Sequence, residues 1–137
     1  MITFFLAAML AGPIPCNVVR VIDGDTVEVV CQTWLGTNTQ TLVRLRGIDT
    51  PEKAPRAKCQ EEAALAVRAS KLTKDALLPG QAIRLYEIAN DKYGGRVVAG
   101  VAYDLPTRAG ILLADELIEA GLARAYDGGT KASWCRK

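Results

Sequence analysis

Two stretches, Asp23-Gly24-Asp25-Thr26 and Asp49-Thr50-Pro51-Glu52, place acids where strand-like runs break. Carboxylates joined by a backbone carbonyl and water suit a hard divalent cation such as calcium. Arg44 stands five residues before Asp49 in an alternating run, and Asp91-Lys92-Tyr93-Gly94-Gly95-Arg96 sets a tyrosine and two cations on a glycine-flexed turn. Guanidinium forks grip anionic oxygens in a way lysine does not imitate, and a carboxylate can act on water. Each group alone has a plainer reading. Asp-Gly is ordinary hairpin chemistry, an arginine on an alternating strand is most often a solvated face, and a glycine-rich turn is most often a surface hairpin.

The rest of the composition narrows the chemistry. There is no histidine, which removes histidine-based triads and general bases and the usual zinc and non-haem iron ligand sets. Seventeen basic against 15 acidic residues leave a net charge of +2, so any phosphate recognition must be local rather than spread over a basic surface. At 137 residues, half of them apolar, the chain has material for one domain and one core.

The elements that must position these groups are short. Residues 18–22 and 26–31 are β-branched runs around Asp23-Gly24, which predicts a hairpin with the turn at those two residues. A polar connection over residues 36–40 leads to a third strand over residues 42–48, where apolar and basic residues alternate. Residues 60–78 read as a helix with Leu65, Ala69, Leu72 and Ala76 on one face, acids at its start and Pro79-Gly80 at its end. Strands follow at residues 83–88 and 97–103, then a second helix at residues 111–120 closed by Gly121. The order βββαββα predicts a mainly β, α+β domain. Five twisted strands cover both faces only by curling, so a small barrel with two packed helices is expected.

The stretch from Ile2 to Ala11 is apolar, fits a secretory signal and is shorter than the roughly 20 residues of a membrane span. Residues 1–15 are therefore expected to be a signal peptide or N-terminal hydrophobic segment, and residues 16–137 a single domain, secreted or periplasmic. An uncleaved tether is the alternative. Four cysteines suit two disulfides in an exported domain and allow three connectivities; four buried thiols are the other reading. Counting outward from an Asp23-Gly24 turn sets Cys16 opposite Cys31, which leaves Cys59 for Cys135.

Four separated signatures then agree in order: V-x-x-V-I-D-G-D-T at residues 18–26, R-L-x-G-I-D-T-P-E at 44–52, D-K-Y-G-G-R at 91–96 and L-I-E-A-G-L-A at 117–123. With them the chain resembles the staphylococcal nuclease (thermonuclease) family. The resemblance implies a five-stranded OB-fold barrel and a calcium-dependent enzyme that hydrolyses DNA and RNA at the 5′ P–O bond, leaving 3′-phosphates; a monomer is the default expectation for a small exported barrel. It implies that Asp25 and Asp49 bind calcium through carboxylates and Thr50 through its carbonyl, and that Arg44, Glu52 and Arg96 carry catalysis. Lys92 and Tyr93 would lie beside the substrate's terminal phosphate, with Tyr126 near the nucleotide. A phosphodiester repels nucleophiles, so a cation, donors for equatorial charge and a base for water suit its hydrolysis.

Three departures from the family pattern stand out. Two glycines precede Arg96 where the family's pattern has one, the stretch around Tyr126 aligns imperfectly, and the last helix is missing. Ser133-Trp134-Cys135 is expected to substitute for that helix by docking Trp134 and tethering Cys135. A catalytically inactive barrel that only binds nucleic acid or a protein is the alternative function.

Overall fold

A computed structural model describes residues 9–92 and 94–136, so most of the leading apolar stretch, Tyr93 and Lys137 lie outside the described residues. The strands are β1 (Met9–Leu10), β2 (Ile14–Asp23), β3 (Thr26–Trp34), β4 (Thr37–Leu45), β5 (Ile48–Asp49), β6 (Ala82–Asn90), β7 (Arg96–Leu105), β8 (Arg108–Leu112) and β9 (Arg124–Ala125). The helices are α1 (Gln60–Ala76) and α2 (Leu113–Glu119). Strands β6-β2-β3-β4-β7 run side by side, and β7 pairs back onto β6, which closes a five-stranded ring. The fold is an OB-like α+β barrel.

Closure needs one parallel joint, β4 against β7, with Leu42 beside Arg96 and Arg44 beside Val98. The interior is filled from alternate positions of the ring: Val27, Val29, Val43, Leu45, Ile83, Leu85 and Val101 are almost fully buried. Leu77, Leu113 and Leu117 cover one end of this core from the helices and their borders. No helix among the described residues is long and apolar enough to cross a membrane.

Four local expectations change. The polar residues 37–40 belong to β4 rather than to a connection, because the β3–β4 ribbon projects beyond the barrel and its exposed threonines pair without needing a buried face. Helix α2 begins at Leu113, since Ile111 and Leu112 are pulled into β8 by pairing with Tyr103 and Ala102. Helix α1 stops at Ala76, and its most buried positions are Glu62, Ala66, Ala69 and Thr73, with Leu65, Leu72 and Ala76 packed beside them. The third strand ends at Leu45, and Ile48–Asp49 leaves the barrel to pair with β9.

A fifth change concerns the first hairpin. Asp23 pairs with Thr26, so the turn residues are Gly24-Asp25, one position later than expected. The pairing of β2 with β3 skips Val19 and Ile22, and these two bulges bring Cys16 back opposite Cys31. The disulfide Cys16–Cys31 spans this pair with a Cα–Cα separation of 4.0 Å, the narrow kind of antiparallel pairing. A second disulfide joins Cys59 to Cys135 across 76 residues.

Candidate functional site

The β2–β3 turn is held from behind by α1. Thr73 Oγ1 donates to the Gly24 carbonyl at 2.8 Å in a buried bond. A Cβ on Gly24 would lie 2.8 Å from Ala69 Cβ, so glycine is required here for close approach to the helix rather than for its backbone angles. Gly24→Ala is expected to cost about 1–3 kcal/mol through overpacking, read as a lower urea midpoint at unchanged m. An unchanged midpoint would show that the helix and turn do not touch.

The turn thereby presents Asp23 and Asp25 at the mouth of the barrel. Burial first, and Asp25 next, raise the Asp23 carboxyl from 3.8 to about 6. For Asp25 burial acts in the same upward direction, but hydrogen bonding with Asp23, the Arg44 charge and the Thr26 and Thr50 side chains outweigh it and lower its pKa. Asp23 therefore favours its protonated form in the fold. Its contribution to stability is complete below about 3.8 and is lost as pH rises through about 6. In metal-free protein Asp23→Asn should add about 1 kcal/mol at pH 7, a figure reduced for solvent access, and add nothing at about pH 4. Thermal unfolding at the two pH values checks this; an equal gain at both would remove the crowded acid pair as its cause.

Arg44 reaches the same point from β4 because Thr26 and Arg44 are cross-strand partners. Its two terminal nitrogens donate to the carbonyls of Leu45 and Ile48, each at 3.2 Å, and one lies 3.7 Å from Asp25 Oδ2. Arg96 opens β7, and Asp91 accepts a hydrogen bond from its Nε. Gly94 and Gly95 both take positive φ, 63° and 70°, so the longer turn is absorbed before Arg96, whose side chain lines the site.

Glu52 follows β5 on a loop whose anchor is a buried acid. Glu62 accepts from the backbone N–H of Glu52 at 2.9 Å and of Lys58 at 3.0 Å, which fixes both ends of the loop to α1. Glu62 was expected only to complement the helix's positive start. Its place three residues after the N-cap, Cys59, is the signal that could have identified it. Among the described residues the Glu52 carboxylate itself meets only Arg56, at 3.5 Å, and remains accessible.

These groups surround one polar cleft of about 920 Å³. Asp25, Thr50, Arg44, Glu52, Arg96, Lys92 and Tyr126 all line it, joined by Asp23, which the sequence places in the first acidic stretch without a role of its own, and by Lys53 and Lys131, which sequence reasoning did not select. The Tyr126 hydroxyl donates to the Gly129 carbonyl and its backbone N–H to that of Gly47. Tyr93 lies outside the described residues. Asp49 stands apart from the others: it is buried behind the wall, where Trp134 Nε1 donates to Oδ2 at 3.1 Å and Lys131 Nζ lies 3.2 Å from Oδ1.

Among the described residues no group of three or more acidic or cysteine side chains converges as a metal cluster. The donor chemistry nevertheless fits a hard divalent cation. Asp23 and Asp25 crowd one another enough to favour a proton on one of them, a strain that a divalent charge relieves, and oxygen is the only donor type present. Asp49 could join such a set only by exchanging Lys131.

A comparison with curated proteins finds no significant match. Residues 42–134, from the middle of β4 to Trp134, match the family described as staphylococcal nuclease homologue. The matched segment carries Arg44, the β5 exit, both arms of the loop that Glu62 anchors and Arg96. On that match and this barrel, the chain belongs to the staphylococcal nuclease homologue family, whose domains point to nuclease or nucleic-acid-binding function.

Proposed function

We propose that the chain is a calcium-dependent nuclease that hydrolyses phosphodiester bonds of DNA and RNA and leaves 3′-phosphates. The observation that carries this reading is the convergence of Arg44, Arg96 and Glu52 on one polar cleft beside the Asp23–Asp25 pair, in a chain of this family. Asp25, Asp49 and the Thr50 carbonyl are the proposed calcium ligands. When bound, calcium would neutralise phosphate charge and lower the barrier to attack.

The protein's own groups do the remainder. Glu52 orients a water and takes its proton as the water oxygen bonds to phosphorus. The bond from phosphorus to the 5′ oxygen breaks, and that oxygen leaves as an alcohol with a proton supplied by solvent. Arg44 and Arg96 donate paired N–H groups to the equatorial oxygens as their charge grows. Lys92, Tyr93 and Tyr126 are assigned to the substrate's terminal phosphate and nucleotide.

This reading makes residues 16–137 a monomeric domain, secreted or periplasmic, with residues 1–15 as its export signal or tether. Two disulfides support an oxidising compartment. A second reading, a barrel that binds nucleic acid without cutting it, is favoured by the engagement of Asp49 with Lys131 and Trp134. Cleavage of single-stranded DNA with calcium, and its loss with excess chelator, separates the two. A folded, oxidised protein that retains DNA without cutting it under either condition would establish the second.

A further inference from the structure

The C-terminal segment meets the site at three points. Cys135 is bonded to Cys59, the N-cap of α1. Trp134 and Lys131 take the two oxygens of Asp49, one each. Arg124, paired with Asp49 across β5 and β9, stacks 3.7 Å over the Trp134 ring and fixes its plane.

The two partners differ in kind. Trp134 is a neutral donor on a rigid, partly buried ring between Arg124 and a disulfide. Lys131 is a cation on a flexible stem, 45% exposed and reaching Asp49 from the cleft side. A neutral donor orients a carboxylate without discharging it, whereas a lysine there occupies the position an incoming cation needs.

We propose that Lys131 is a resident cation on Asp49 which a divalent ion must displace, and that Trp134 is a positioning residue which holds the carboxylate for that ion. The proposal rests on the calcium reading above. Removing Lys131 takes away a competitor, so Lys131→Met should bind calcium about tenfold more tightly. Removing the Trp134 donor frees the carboxylate to rotate, so Trp134→Phe should bind about 10- to 100-fold more weakly, the usual effect of losing an outer-shell partner.

The test is calorimetric titration of calcium into the oxidised full chain without nucleic acid, for wild type and both variants, after circular dichroism has shown each to be folded. Tighter binding by Lys131→Met with weaker binding by Trp134→Phe supports the proposal. Equal affinity of wild type and Lys131→Met overturns it and leaves the calcium reading standing; this exposed position decides even if Trp134→Phe fails to fold. Binding by Lys131→Met but not by wild type supports the resident cation and removes calcium from the wild-type mechanism. Absence of binding by all three overturns both.

Discussion

Glu52→Ser is expected to lose about two to four orders of magnitude in kcat while calcium and nucleotide affinity stay within a few-fold. The expectation comes from how Glu52 is mounted. Its backbone N–H is held by buried Glu62, whereas among the described residues its carboxylate meets only Arg56, at 3.5 Å at the surface. Substitution therefore removes the acid without disturbing the loop. A structural carboxylate would give the opposite pattern, with lower stability and a modest change in rate. Single-turnover cleavage with saturating calcium measures the chemical step directly, and a serine variant within tenfold of wild type would end the role assigned to Glu52.

Arg44→Lys should lose about two to three orders of magnitude in kcat, comparable to removing one preorganised donor from an anion-stabilising site. Lysine keeps the charge but cannot use two nitrogens on the Leu45 and Ile48 carbonyls while facing a phosphate oxygen from a fixed plane. Those carbonyl contacts also fix the strand exit that leads to Asp49. Part of the loss could therefore arise from a displaced exit, and the split between kcat and calcium affinity tells the two apart. Lost kcat with unchanged calcium affinity assigns the effect to charge on the phosphate. Restored activity in Arg44→Lys at high calcium would instead make the arginine a support for the acids.

The local elements were legible because their signals are local. β-Branched runs, a helical periodicity ended by Pro79-Gly80 and a glycine turn before Arg96 each speak for the residues that carry them. The convergence of the cleft was legible only through the family resemblance. Arg44 and Arg96 share a wall because β4 runs parallel to β7, a pairing between segments about fifty residues apart that no local pattern encodes. The hairpin register was reached by a compensated error: the turn is one residue later than Asp-Gly suggests, and bulges at Val19 and Ile22 restore the Cys16–Cys31 pairing. Bulges follow from the twist of a closing barrel, which a residue count omits.

Glu62 and Gly24 show what such a reading misses. Both look like ordinary local chemistry, an acid at a helix start and a glycine in a turn. Their actual work is tertiary: Glu62 fastens the Glu52 loop, and Gly24 admits α1 to the acid pair. A buried carboxylate spent on two backbone N–H groups leaves no periodicity by which to recognise it.

The disulfide between Cys59 and Cys135 also orders events in time. Lys131, Trp134 and Cys135 follow every other named site residue in the chain, so a ribosome delivers the barrel, the arginines and Glu52 before Asp49 receives either partner. The covalent tie then waits for an oxidant as well as for synthesis. A newly made chain in a reducing compartment thus lacks the fastening of its last segment, and the finished arrangement around Asp49 dates from the moment the second disulfide closes.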